Sequence, residues 1–310
     1  MQELVIETQG LTKRYGPILA VGDLFLKVPR GGVFGLLGPN GSGKTTTMCM
    51  LLGLVGPTSG TIRLFGQQIE GVTLAALHRI GAIVESPSFF PYMTGRDNLR
   101  YFQAIGGKGS KGEVDRLLKL VELEGRGDSK FSTYSLGMKQ RLGIAYALLG
   151  NPEMVFLDEP TNGLDPAGMV EMRGLIRDLG TDGRTVLLSS HLLHEVEQVC
   201  SYVAILSKGK LIQQGVVRDL LNQRGAIRLK TTDNEQAVPI LSAIEGVSEV
   251  KRDEEYLIAA SPPEHSWELT AALAAKGVYV SEMAPVQTSL EKYFLDVTKE
   301  PGDAKQEVTE

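Results

Sequence analysis

The sequence predicts an α/β protein built on a mainly parallel sheet, with a small α+β domain at the C-terminal end. Three observations carry this. Over about the first 215 residues, short β-branched runs alternate with stretches of helical period. Between residues 92 and 150 that alternation gives way to a nearly all-helical stretch. Beyond about residue 216 the segments follow the order β-α-β-β-α-β.

Each element has its own local reason. LVIETQ, VFGLLG, TIRLFG, IGAIVE, MVFLDE, TVLLSS and VAILSKG are short apolar runs bounded by Gly or polar residues, and they read as strands. KTTTMCMLLGLV and MVEMRGLIRDLG have helical period and lie between strands, so the sheet is expected to be parallel and covered on both faces. YMTGRDNLRYFQAIG, GEVDRLLKLVELEG and SLGMKQRLGIAYALLG form a helical insert, with Thr94 as an N-cap. In the last third, AIRLKTT, DNEQAVPILSAIEG, VSEVKRD, EYLIAAS, PEHSWELTAALAAKG and VYVSEMA give the order of a ferredoxin-like domain. The helix SLEKYFLDVTK follows, then a polar tail expected to be disordered.

Composition narrows the function. The 310 residues are 42% apolar and carry a formal net charge of −5, which argues against a general nucleic-acid footprint. Cys49 and Cys200 lie far apart, form no disulfide framework and have no metal-ligand spacing, which fits a reducing compartment. The N-terminus has no secretory pattern, and no window approaches ~18 uninterrupted apolar residues, the length of a membrane span. Work at a membrane therefore requires another chain as anchor.

GPNGSGKTT, residues 38–46, matches G-x-x-x-x-G-K-[ST] between a strand and a helical run. Gly38, Gly41 and Gly43, with Pro39, Asn40 and Ser42 between them, let backbone N–H groups turn inward around phosphate oxygens. The helix N-terminus at Lys44, Thr45 and Thr46 adds partial positive charge. Lys44 is expected on the β- and γ-phosphates and the Thr45 hydroxyl on Mg²⁺. Asn40 also opens an N-G-S glycosylation triplet, a reading rejected because the loop is committed to phosphate. MVFLDEP places Asp158 and Glu159 at a strand's carboxyl end, the edge where open α/β sheets bind ligands. Asp158 fits the acid that orients Mg²⁺, and Glu159 is placed to polarise a water for attack on a γ-phosphate.

Three further stretches carry a family resemblance. YSLGMKQRLGIAYALL resembles the signature motif of ATP-binding-cassette (ABC) ATPases, with Ser135 and Gly137 at its phosphate-contacting positions. TNGLDP resembles the D-loop, with Asp165 in place, and LLSSHLLHEVE the switch region, with His191 as the switch histidine. Tyr15 in LTKRYG fits the aromatic that stacks on adenine. The wording is most similar to ATPase subunits of ABC-2-type exporters of the bacitracin-resistance kind.

The resemblance implies a P-loop NTPase fold. Residues 1–218 would be a nucleotide-binding domain with an antiparallel β layer beside the parallel sheet and a helical subdomain at about 86–150. Residues 219–298 would be an accessory α+β domain and 299–310 a tail. It implies ATP and Mg²⁺ as cofactors, ATP hydrolysis as the activity, and a head-to-tail pair with a second copy of the chain. Each ATP would lie between one copy's phosphate loop and the other's Ser135 and Gly137, with His191 on the γ-phosphate. A separate membrane permease would be the partner, holding the chain at the inner face of the membrane, and no nucleic acid is expected. The competing reading is a soluble ABC ATPase that remodels ribosomes or nucleic acid. One cassette, no heptad array and no basic tail weigh against it.

The sequence departs from the family pattern in two places. Leu136 and Met138 stand where the signature more often has Gly and Gln. Glu85 stands where the loop between core and helical subdomain usually has glutamine. Two like charges ~6 Å apart at an effective dielectric of ~20 repel by about 3 kcal/mol, so a carboxylate beside a γ-phosphate needs Mg²⁺ to offset it. Glu85 either binds or orients that metal or points to solvent. Phe89, Phe90, Pro91 and Tyr92 are either a docking patch for the permease or the core of the helical subdomain. His194 is read as a helix-surface residue, and His78, His265 and Trp267 carry no site signal.

Overall fold

A computed structural model describes residues 3–69, 74–85, 88–107, 109–222, 226–261, 266–286 and 289–298. The expected tail and His265 lie outside these. The chain divides into two compact units, Met1–Gln214 and Gly215–Glu310.

In the first unit the elements are, in order, β1 (Leu4–Tyr15), β2 (Ile18–Leu24), β3 (Lys27–Pro29), β4 (Gly32–Leu37), α1 (Lys44–Leu51), β5 (Ser59–Leu64), β6 (Gln67–Ile69), α2 (Leu74–Leu77) and β7 (Ile80–Ile83). Three longer helices follow: α3 (Gly95–Gly106), α4 (Glu113–Leu120) and α5 (Leu136–Ala147). The unit closes with β8 (Met154–Asp158), α6 (Pro166–Thr181), β9 (Thr185–Ser190), α7 (Leu193–Val199), β10 (Tyr202–Ser207) and β11 (Lys210–Val216), whose last residues enter the second unit.

One sheet has the order β11-β10-β4-β9-β8-β7, and its pairs from β10 to β7 are parallel. Nearly every residue of β4, β8 and β9 is buried, as expected for strands covered on both faces. Their register sets Leu37 beside Ser190 and Asp158 beside Ser189, so three strand ends finish level. A second sheet, β2-β1-β5-β6 with β3 also on β1, is antiparallel. The core lies between the two sheets. Val5, Ile6, Leu11, Leu24, Ile62 and Leu64 meet Phe34, Leu36, Phe156 and Leu187, with Met48 and Leu51 of α1 among them. Each such side chain contributes about 1.5–3 kcal/mol on burial.

The helical pattern over residues 44–55 predicts a longer α1 than is found. The helix stops at Leu51 because Gly53 turns left-handed, at φ 68°, and the Leu54 amide folds back onto the Cys49 carbonyl at 2.9 Å. In the helical insert, Thr94 caps α3 by accepting the Asp97 amide, as expected. Asn98 is fully buried and clamps the preceding loop. Its Oδ1 accepts the Phe90 amide at 2.8 Å while its Nδ2 donates to the carbonyls of Phe90 and Thr94. Glu113, also buried, accepts from Gln103 on α3 and from the Gly150 amide beyond α5, tying the insert together.

The second unit runs α8 (Val217–Asn222), β12 (Ala226–Thr231), α9 (Asn234–Ser242), β13 (Val250–Asp253), β14 (Tyr256–Ala259), α10 (Ser266–Ala274), β15 (Val280–Val286) and α11 (Leu290–Thr298). Its strands lie in the order β13-β14-β12-β15, all antiparallel. Ile227, Leu229, Leu257 and Ala259 on one sheet face bury against Ala237 and Leu241 of α9 and Leu269 and Leu273 of α10.

Candidate nucleotide site

The level strand ends gather the chemistry. β4 runs into the loop 38–43, which only glycine can trace at two points. A Cβ on Gly38 would lie 2.2 Å from the Leu206 carbonyl oxygen, and one on Gly43, at φ 99°, would lie 2.6 Å from that of Ala20. Gly43 is the N-cap of α1 and receives the Thr47 amide at 2.8 Å. Pro39, Asn40 and Gly41 are exposed, Thr46 is half-buried and Ser42 is buried. The Ser42 hydroxyl has no partner among the described residues.

Lys44 is buried beneath this loop. Its Nζ donates to the carbonyls of Gly38, at 2.8 Å, and Pro39, at 3.3 Å, and lies 3.4 Å from Glu159 Oε1. Glu159 follows β8 in the left-handed region, at φ 49°, a conformation that costs a non-glycine residue about 1–3 kcal/mol. Its other oxygen, Oε2, lies 2.9 Å from His191 Nδ1 beyond the end of β9. Glu159 is therefore suspended between the lysine of the phosphate loop and the histidine. Beside it, Thr45 Oγ1 donates to Asp158 Oδ2 at 2.9 Å. Ser189 was not singled out in the sequence, yet it knits the acids together. Its hydroxyl donates to Asp158 Oδ1 and accepts the Glu159 amide at 2.9 Å. The only available signal was the polar Ser-Ser ending an apolar strand.

Thr45 Oγ1 and Asp158 Oδ2 are two adjacent hard oxygens, the donor set that suits Mg²⁺, which is usually held by one or two carboxylates plus substrate phosphates. Among the described residues no group of three or more His, Cys, Asp and Glu side chains could hold a metal without such help. Glu85 is exposed, left-handed at φ 65°, and makes no hydrogen bond or ion pair among the described residues. Its charge does reach α1. Burial first, then Asp158, then Glu85 raise the Cys49 thiol above its ordinary pKa. Cys49 stands one helical turn beyond Thr45 on α1.

The remaining predicted residues lie apart from this cluster. Tyr15 ends β1 with its ring about half exposed and Lys13 Nζ 5.0 Å over it. Ser135 caps α5 by accepting the Met138 amide, and Gly137 lies in that helix's first turn. Asp165 caps α6 through the Gly168 amide at 3.0 Å. No hydrogen bond or ion pair among the described residues joins Ser135, Gly137 or Asp165 to the phosphate loop. Phe89 belongs to the helical insert, and Phe90 is half in each reading, since it is exposed yet lies edge-on to Tyr101 at 4.9 Å. Phe89 packs edge-on against Phe102, Phe131 and Tyr146 inside the helical insert. Phe90, Pro91 and Tyr92 are exposed, Tyr92 at 84%. His194 pairs with Gln198 along α7, as a helix-surface residue does.

This arrangement can bind a polyphosphate and activate a water beside it. Residues 21–162 match the family model described as "ABC transporter". The chain belongs to the ABC transporter family and is a transport-powering ATPase of it. It is 39% identical to the bacitracin transport ATP-binding protein BcrA of Bacillus licheniformis over 295 residues, covering 94% of this chain and 96% of that one. It is 34% identical to the daunorubicin/doxorubicin resistance ATP-binding protein DrrA of Streptomyces peucetius, covering 96% and 93%. Among solved structures it is similar to cbiO1 of Clostridium perfringens, part of the ABC transporter complex cbiONQ. That match has a TM-score of 0.65 and 26% identity, covering 71% of this chain and 91% of that one.

Proposed function

We propose that this chain powers an exporter whose membrane-spanning part is a separate permease, and that two copies close head to tail around ATP. The observation that carries this is Glu159, poised between Lys44 and His191 at the mouth of the phosphate loop. Lys44 and the loop amides bind the β- and γ-phosphates, and Tyr15 offers its ring to adenine. Glu159 takes the proton of the attacking water, and His191 holds Glu159 in orientation through Nδ1. Thr45 and Asp158 would hold Mg²⁺, which when bound supplies neutralisation of phosphate charge. Ser135 and Gly137, at the exposed start of α5, face the partner copy's nucleotide, and Asp165 braces the loop beside them. No described helix is long and apolar enough to cross a membrane, which is why a permease is needed. Phe90 and Tyr92 belong to the surface that meets it, presented by the Asn98 clamp. A groove of about 450 Å³ runs beside β7, lined by Val84, Phe102 and Tyr146. The relatives' names, bacitracin transport and daunorubicin/doxorubicin resistance, suggest an antibiotic-like substrate here. The second unit, for which a ferredoxin-like fold is proposed, is assigned to dimerisation or regulation.

Affinity capture from detergent-solubilised membranes tests the pairing, using tagged Glu159→Gln chain with and without Mg-ATP. One polytopic membrane protein is expected in the eluate. Ribosomes or nucleic-acid proteins with no membrane protein would overturn the exporter assignment and leave the ATP site standing. Glu85 is proposed as a third contact to the metal. Glu85→Gln is then expected to shift the Mg²⁺ midpoint of ATP hydrolysis upward several-fold. An unchanged Mg²⁺ titration would leave Glu85 as a solvent-facing loop residue.

A further inference from the structure

The switch histidine enters α7, and α7 has little means of holding itself in place. It has only seven residues, and its N-cap, Leu192, makes no side-chain capping bond. An isolated helix of that length is unstable in water, so its orientation must come from tertiary contacts. Some are apolar. Val196 and Cys200 seat on β4 at Gly35, where an added Cβ would lie 2.7 Å from Val196 Cγ1. Two polar ones come from α6. Arg177 Nη2 donates to the Gln198 carbonyl at the far end of α7, at 3.1 Å. Nearer the histidine, Arg173 Nη1 bonds Glu195 Oε1 at 2.7 Å, with both side chains about 15% exposed.

Glu195 stands one helical turn beyond His191. Its second oxygen, Oε2, is buried and has no partner among the described residues. Next to it is a cavity of about 20 Å³ lined by Pro160, Thr161 and Ser190, the residues that directly follow Glu159 and directly precede His191. A carboxylate so little exposed is costly to leave without a cation, and Arg173 is its sole cationic partner among the described residues. An apolar contact would have secured α7 against α6 more cheaply. A fixed bidirectional link suits a helix whose rotation must be set.

We infer that Arg173 and Glu195 are positioning residues for ATP hydrolysis, forming a strut that fixes α7 so that His191 Nδ1 stays on Glu159 Oε2. The strut also makes the D-loop helix and the switch helix move as one body, since Asp165 is the N-cap of α6. The inference rests on the proposed roles of Glu159 and His191.

Steady-state ATPase kinetics of the full chain test it. Arg173→Met and Glu195→Gln are expected to lower kcat by about ten- to a hundredfold, the usual cost of misplacing a catalytic group from a distance. The KM for ATP is expected to stay within about twofold, because ground-state binding is untouched. The charge-swapped pair Arg173→Glu with Glu195→Arg recovers much of the lost kcat and serves where a single variant fails to fold. In a His191→Ala background the strut variants cause no further loss, because their effect passes through that ring. Losses that multiply in that background, an unchanged kcat, or an equal loss from Arg177→Ala would each overturn the inference. A fully active His191→Ala chain would overturn the switch role itself and the strut with it. Failure of the strut variants alone would leave the site reading intact.

Discussion

Glu159→Gln is expected to abolish ATP turnover while leaving ATP bound. The amide keeps the shape of the carboxylate, so it can still meet Lys44 and His191, which lie 3.4 Å and 2.9 Å from its oxygens. What it loses is the ability to take a proton from water. General-base catalysis contributes about 10²–10⁴-fold, so a fall of at least ~10² in kcat is expected. A second effect goes the other way. The wild-type carboxylate stands close to where the γ-phosphate must sit, and at an effective dielectric of ~20 two such charges repel by a few kcal/mol. Neutralising it removes that repulsion, so ATP should be held more tightly and the closed pair of chains should persist. Single-turnover ATPase assays and size-exclusion chromatography with ATP measure the two effects. Turnover within tenfold of wild type, or no ATP-dependent dimer, would remove Glu159 from the role of base.

The parts of this site that were legible in the sequence are those made from local backbone geometry. The loop 38–46 is contiguous, and its glycines are demanded by contacts that any Cβ would violate at Gly38 and Gly43. Asp158 and Glu159 could be placed at a strand end because MVFLD is a continuous apolar run that stops on acid. The parallel strands were legible for the same reason. By contrast, β2 escaped notice, since ILAVGDL carries Gly22 and Asp23 and its register on β1 slips twice. β3 and β6 have three residues each, too few to show a period. β11 was missed because KLIQQGV is only partly buried and reads as polar. β1 and β5 were legible as strands by pattern, but their place in an antiparallel layer entered through family resemblance. Ser189, Asn98 and the Arg173–Glu195 pair were invisible for a different reason. Each has a partner at least eight residues away, and only the strand register or helix packing reveals that partner. The different exposure of Phe89 and Phe90 was likewise a matter of which face each residue presents, which two adjacent aromatics cannot declare.

The proposed sharing of each site between two copies makes the second large prediction, a recovery of activity from two dead chains. Lys44→Ala removes the cation that bonds Gly38 and Glu159 under the phosphate loop, and Ser135→Arg puts a bulky charge at the exposed start of α5. Each variant alone should be inactive, because in a homodimer of either one both sites carry the lesion. The two lesions lie in separate parts of the chain, with no hydrogen bond or ion pair among the described residues joining Ser135 to the phosphate loop. If ATP sits between one copy's Lys44 and the other's Ser135, a mixed pair gathers both lesions into one site. The other site then has a normal Lys44 and a normal Ser135. With random pairing about half the dimers are mixed and one site in two is whole, so about a quarter of the sites regain their parts through two-fold symmetry. ATP hydrolysis in an equimolar mixture should rise well above the sum of the separate chains, peak near equal proportions, and vanish when both lesions are placed on one chain. Such a pattern requires a site shared between copies. Activity no greater than the sum at any mixing ratio would mean that each chain completes its own site, or that one whole site cannot turn over beside a dead one, and the head-to-tail arrangement with two independently competent sites would fall.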